Sequence, residues 1–194
     1  MRLLKRRSRI FLKSIFIYNF MTLQDRINPS DLTVRVLEKT DDLSTFDCSE
    51  DDIMGLNEFI HSEAKQFQKE GLGVTHLFFY NDEIVGFATL SMSQIEIKLA
   101  PSILPFKTTI KYYPTMQIGR LATDNRYRGR RVGKSICFWC LSLAKKLSKK
   151  IGCRLVIVLS EGEPVKFYKK CSFNIFPRFE SKPRKWMYLQ VPQE

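Results

Sequence analysis

Arg128-Gly129-Arg130-Arg131-Val132-Gly133-Lys134 stands between an apolar strand and a long amphipathic helix, and its reading decides the fold. Upstream, Met116-Gln117-Ile118-Gly119-Arg120-Leu121-Ala122-Thr123 reads as a buried strand, followed by the turn Asp124-Asn125-Arg126. Downstream, Val132, Ile136, Trp139, Cys140, Leu143, Leu147 and Ile151 recur at three- and four-residue steps, the spacing of one helical face. The first N–H groups of a helix lack internal partners and carry the positive end of its dipole, so a phosphate or pyrophosphate is the natural guest of such a loop. The glycine spacing excludes a Walker A loop, and no Gly-x-Gly-x-x-Gly follows the strand. On the loop alone, an anion site and a solvated basic turn are equally good readings.

The residues after the helix add the deciding pattern. Arg154-Leu155-Val156-Ile157-Val158-Leu159 is β-branched and apolar, a buried strand; Pro164 then opens a short helix through Phe167-Tyr168-Lys169-Lys170, with Phe173 beyond it. This order resembles the Gcn5-related N-acetyltransferase (GNAT) superfamily, whose acyl-CoA loop reads Gln/Arg-x-x-Gly-x-Gly/Ala and whose later motif ends Phe-Tyr-x-x-x-Gly-Phe. Arg128 and Gly133 stand at the first and last loop positions, while Arg131 replaces the middle glycine and Ser172 the later one. Arg131 must either be tolerated where backbone approaches phosphate or lend its guanidinium as an extra ligand. Ser172, at an expected left-handed helix end, should cost up to about 1 kcal/mol relative to glycine.

The resemblance extends toward the N-terminus. Phe46-Asp47-Cys48 precedes a helix carrying Leu56-Asn57-Glu58-Phe59, with Ser49 as its expected N-cap and Asp52 completing a near-capping box. Val74 to Tyr80 and Ile84 to Ser93, joined by Asn81-Asp82-Glu83, read as a hairpin. With Gly86-Phe87-Ala88-Thr89-Leu90-Ser91 and Gly119-Arg120-Leu121-Ala122, these segments resemble the GNAT branch that includes toxins acetylating the aminoacyl group of charged tRNA.

The resemblance implies an α/β (α+β) GNAT fold, a central mixed, mostly antiparallel sheet flanked by helices on both faces, over residues 31–194. It implies acetyl-CoA as co-substrate, with the pyrophosphate at Arg128, Gly129, Arg130, Arg131, Val132, Gly133, Lys134 and Ser135 and the pantetheine along Leu121, Ala122 and Thr123. A backbone N–H there would polarise the thioester carbonyl. Tyr168 falls on the family's tyrosine near the CoA sulfur, and a phenol of ordinary pKa about 10 suits protonation of a leaving thiolate. No metal enters the scheme, and Cys137 and Cys140, on the helix, read as structural. The expected acceptor is the amine of aminoacyl-tRNA; the alternatives are a small-molecule or protein amine, or a non-catalytic GNAT-fold binding protein. The expected partners are acetyl-CoA, tRNA, an antitoxin protein and a second copy of the chain, with no membrane among them.

Charge and composition bear on the same question. The chain's net charge is +12 over 194 residues, unevenly placed: residues 21–96 carry five basic and fifteen acidic side chains, residues 97–160 fourteen basic and one acidic, Asp124. That central excess is more than one cofactor needs and suits a second polyanion, although Lys145, Lys146, Lys149 and Lys150 read mostly as a solvated helix face. Lys98, Lys107, Lys111, Tyr112 and Tyr113, in the Pro-containing segment from Glu96 to Met116, suit either phosphate contact and base stacking or cover of the sheet edge. Five cysteines without framework spacing suit a reduced, cytoplasmic protein. Residues 1–30 form a basic and apolar extension expected to lie outside the fold, too short and interrupted to span a membrane, with Met21 as an alternative start.

Overall fold

The computed structural model describes residues 26–104 and 109–193; the segment before Arg26, with Met21, and Lys107 lie outside the described residues. Seven strands form one sheet in the order β1-β2-β3-β4-β5-β7-β6. They are β1 (Thr33–Val36), β2 (Val74–Tyr80), β3 (Glu83–Glu96), β4 (Tyr112–Thr123), β5 (Leu155–Ser160), β6 (Asn174–Ile175) and β7 (Lys185–Gln190). Only β4 and β5 run parallel; every other pair is antiparallel. The helices are α1 (Leu56–Glu58), which passes through a π-turn at Phe59–Glu63 into α2 (Ala64–Lys69), then α3 (Val132–Ile151) and α4 (Glu163–Lys170).

The hairpin between β2 and β3 closes with two residues, Asn81 and Asp82, both at positive φ, and Glu83 already pairs with Tyr80. Both residue types tolerate that region, and two positive-φ residues match the twist of a tight hairpin. The first half of β3 is buried on both faces because helices cover it from each side, and its second half alternates. Gly86 makes this possible: a Cβ there would lie 2.7 Å from Ile136 Cδ1 and 2.8 Å from the Ala122 carbonyl.

On one face α3 and α4 pack Ile136, Cys140, Ala144 and Val165 onto Ala88, Ile118, Val156 and Val158. The other face carries two apolar clusters. Phe46, Phe59, Ile60, Leu77 and Phe87 form one under α1 and α2; Ile95, Tyr113, Leu155, Ile157 and Phe176 form the other near the far edge.

Three expectations change, and Tyr113 follows the second of its two readings. The first helix begins at Leu56 rather than near Ser49, and Asp52 alone caps it, accepting from the N–H groups of Leu56 and Asn57 at 2.9 and 2.7 Å. Ile27, placed by sequence in the extension, is buried in the main core and donates its N–H to the Arg130 carbonyl, so the fold starts before residue 31. Tyr113 is buried with its hydroxyl on the Ala100 carbonyl at 2.9 Å, which leaves only Tyr112 of the pair exposed. Ile151, the last member of the expected α3 face and the last residue of that helix, is 61% exposed. No helix among the described residues is long and apolar enough to cross a membrane.

Candidate active site

The site is built from an opening in the sheet. β4 and β5 pair from Thr115 opposite Leu155 to Ile118 opposite Val158, and there the ladder stops, although β4 runs on to Thr123. On its other edge β4 stays paired with β3 as far as Thr123 opposite Gly86. Arg120 faces Thr89 while Ile118 faces Leu90, so Gly119 is the extra residue of a bulge placed where the two strands part.

The Asp124 N–H donates to the Val85 carbonyl at 3.0 Å. Antiparallel ladders alternate bonded and non-bonded pairs, so Ala122 also turns its backbone groups to β3. Leu121 and Thr123 turn theirs to the open edge, where β5 has diverged. Of the three residues expected along the pantetheine, two therefore offer backbone partners to a ligand in the opening. Ala122 instead packs its side chain in the cluster with Phe87.

The loop beyond β4 is tied down from below. Asp124 is fully buried and accepts from the Asp47 N–H, the Arg126 N–H and the Arg126 guanidinium. Asn125 returns a bond from its N–H to the Asp47 carbonyl, and Arg126 reaches the Thr45 carbonyl, so the Phe46-Asp47-Cys48 segment buttresses this turn. Arg128 donates to the Glu50 carbonyl and lies 3.5 and 3.7 Å from the Glu50 and Asp51 carboxylates. Its charge is thus already engaged by the acidic loop ahead of α1.

Gly129 and Arg131 both adopt left-handed φ, 78° and 70°. Arg131 is the N-cap of α3, and no side chain caps that helix. The N–H groups of Val132, Gly133 and Lys134 consequently have no intrahelical acceptor, while Ser135 is drawn inward, its N–H and Oγ both on the Arg131 carbonyl. Arg131 and Lys134 are exposed at this end; Arg130 lies against the rings of Tyr127 and Tyr80, and Lys134 over Phe138. An uncapped, cation-flanked helix start is suited to an anion, and these residues fit a pyrophosphate.

Gly133 has a second task. A Cβ there would stand 3.1 Å from the Phe167 ring and 3.3 Å from Thr123 Oγ1, so its missing side chain lets α4 close on the first turn of α3. Phe167 thereby fills the inner corner between the end of β4 and the helix start.

Tyr168 is 7% exposed, edge-on to Phe167 and Phe173, and its hydroxyl has no hydrogen-bond partner among the described residues. Burial, aided by the thiols of Cys137, Cys140 and Cys171 nearby, pushes its pKa well above that of a free phenol. It is therefore held protonated at neutral pH, the form that has a proton to donate. The Cys140 thiol is itself pushed up to about 12 by burial, and Cys137 upward by its bond with Cys171 and by burial. Neither is a nucleophile. His61 is occupied by the Asn57 and Leu43 carbonyls.

On the opposite face, at the bulge, a pocket of about 260 Å³ opens. It is lined by the apolar Met54, Leu56 and Phe67, the polar Thr89, Ser91 and Gln117, and Gly119 and Arg120. The Arg120 guanidinium carbon lies 3.6 Å from the centre of the Phe59 ring and 4.9 Å from that of Phe67. The sequence reading missed this residue as a site. The available signal was a lone cation inside an otherwise apolar strand.

The sequence matches the family model described as acetyltransferase (GNAT) family over residues 38–173. No curated protein sequence matches it significantly. Among solved structures, AtaT complexed with acetyl-methionyl-tRNAfMet superposes with a TM-score of 0.66 at 23% identity, over 80% of this chain and 94% of that one. A tyrosine-to-phenylalanine mutant of KacT gives 0.68 at 22% identity, over 83% and 95%. The corresponding kind of AtaT mutant, bound to the C-terminus of the antitoxin AtaR and acetyl-CoA, gives 0.65 at 20%, over 83% and 94%. At these identities the likeness bears on the fold. The family match over most of the chain, on a sheet that opens between β4 and β5 toward an uncapped helix, establishes that this protein belongs to the GNAT acetyltransferase family and is an N-acetyltransferase that uses acetyl-CoA.

Proposed function

We propose that this enzyme acetylates the α-amine of aminoacyl-tRNA by direct attack on acetyl-CoA. The observation that carries the donor half is the continuity of two unsatisfied backbone arrays. The open edge at Leu121 and Thr123 leads to the orphan N–H groups of Val132, Gly133 and Lys134. The helix start would take the pyrophosphate, assisted by Arg130 and Arg131, and the strand edge would align the pantetheine. One of its N–H groups would polarise the thioester carbonyl, an interaction that strengthens as the oxyanion develops. Tyr168 would donate its proton to the departing thiolate. An α-amine of pKa about 8 is partly free at neutral pH, so the attack needs no dedicated base.

The acceptor half rests on two supports. Residues 97–160 carry fourteen cations against one acid, a surplus suited to a phosphate backbone. The solved neighbours include a toxin complexed with an acetylated aminoacyl-tRNA. By the same likeness an antitoxin protein is the expected protein partner, and the five free cysteines suit work in the reducing cytoplasm. Labelled acetyl-CoA mixed with a fully charged tRNA pool tests the reading. Label should enter the aminoacyl fraction, be released by mild alkali, and decline steeply with added salt. Label confined to peptide or polyamine amines would replace this acceptor with another.

A further inference from the structure

The pocket at the bulge holds a cation that the proposed transfer does not use. Arg120 is half-buried and lines the pocket, with its guanidinium laid over Phe59 and reaching Phe67. Phe59 begins the π-turn between α1 and α2, an irregularity that recurs at functional sites and here sets a ring under a charged strand residue. Stacking occupies the face of a guanidinium and leaves its N–H edge available. Among the described residues no carboxylate pairs with that edge and no oxygen accepts from it; the contacts of the guanidinium are the two rings and the more distant charge of Glu63. Glu63, exposed at the end of the π-turn, is the charged group that faces Arg120, and burial still lowers the Arg120 pKa. A fixed cation with unused donors, in a pocket lined also by the apolar Met54, Leu56 and Phe67, is complementary to a ligand with a carbonyl oxygen and an uncharged side chain.

We infer that Arg120 is the acceptor-selecting residue: its N–H edge receives the acyl carbonyl next to the attacking amine, and its charge rejects acceptors whose side chain is cationic. The pocket lies beside Gly119, two residues ahead of Leu121, so an amine anchored here would face the thioester at the open strand edge. An amine flanked by an ester carbonyl meets both requirements when its side chain is uncharged. A polyamine, or lysine and arginine esterified to tRNA, brings a second positive charge toward Arg120. This inference rests on the aminoacyl-tRNA reading and adds which aminoacyl groups are taken.

The test charges one tRNA body with either methionine or lysine, so that the nucleic-acid contacts are identical, and compares acetylation rates. The wild type should favour the methionyl ester at least about tenfold, the scale of a like-charge penalty in a partly buried site. Arg120→Gln should lose most of that preference, whereas Arg120→Lys, which keeps the charge, should retain it. A merely structural role would lower both rates in proportion and leave their ratio unchanged. Equal rates in the wild type, or an unchanged ratio in Arg120→Gln, would overturn the inference while leaving the tRNA reading intact. Acetylation of neither ester, with acetyl-CoA still bound by calorimetry, would instead remove the acceptor reading on which it stands.

Discussion

Ile118 and Val158 are the last residues paired between β4 and β5; beyond them β4 stays on β3 and β5 on β7 while the two part from each other. Backbone groups left open inside a sheet need partners. The bulge at Gly119 sits at the point of divergence, so the same local irregularity that breaks the ladder also shapes the pocket on the far face. The open strand edge and the pocket are thereby set within two residues of each other, at Leu121 and Gly119.

Tyr168→Phe separates chemistry from packing. The hydroxyl has no protein partner among the described residues, while the ring is held by Phe167 and Phe173. The variant should fold with unchanged circular dichroism and bind acetyl-CoA with nearly unchanged affinity. Its transfer rate should fall about 10²–10⁴-fold, the usual contribution of a positioned acid. An undiminished rate would move the proton donor elsewhere.

Arg131→Gly tests whether the unusual loop residue is a ligand. Its φ of 70° strains a side chain, so glycine relieves backbone cost and stability should change by less than about 1 kcal/mol. Loss of one charge-assisted contact to pyrophosphate, about 1 kcal/mol, should raise the acetyl-CoA Kd about fivefold in low salt. That gap should close as ionic strength rises. Calorimetric titrations at two salt concentrations read both effects.

Much of this fold was legible because its segments have clear periods. The α3 face, the β5 run of Leu155 to Leu159 and the β2–β3 hairpin each follow from spacing and turn residues, and Ser172 indeed stands at φ 69° in the glycine position. Tyr168 and the loop were legible through their motifs. What stayed hidden depends on contacts distant in sequence. Arg120 became a pocket residue only when the π-turn carried Phe59 beneath it. Arg128 was expected among the residues around the pyrophosphate, yet the acidic segment at Glu50 and Asp51 folds back onto it. Ile27 entered the core through a bond to Arg130 that no local pattern announces.

Gly86→Ala addresses the packing of β3 between its two helical layers. The added methyl would meet Ile136 and the Ala122 carbonyl below 3.0 Å, and backbone cannot yield as a flexible side-chain tip can. Overpacking of this kind costs about 1–3 kcal/mol, so the unfolding midpoint in urea should fall with no change in slope. An unchanged midpoint would show that β3 has room the structure denies.

His76 gives the fold a dependence on pH. It packs against Trp139 at 4.8 Å between ring centroids, and burial lowers its pKa below the ordinary value of about 6.5. The unfolded chain therefore binds a proton first as pH falls. The contribution of the neutral ring is complete above about 6.5 and is lost as pH drops toward the lower folded value. Tm should decline between pH 7.5 and 5.5, and the decline should shrink in His76→Gln. Parallel curves for the two proteins would assign the pH dependence to other groups.

The central claim is that the donor lies along the free edge of β4 and ends on the start of α3, and amide NMR during an acetyl-CoA titration tests it most directly. The account predicts large, saturable shifts at the amides of Leu121, Thr123, Val132, Gly133 and Lys134. A smaller one is predicted at Ala122, whose N–H stays bonded within the sheet. Saturable binding that leaves those five amides unmoved, or no binding at all, would contradict it.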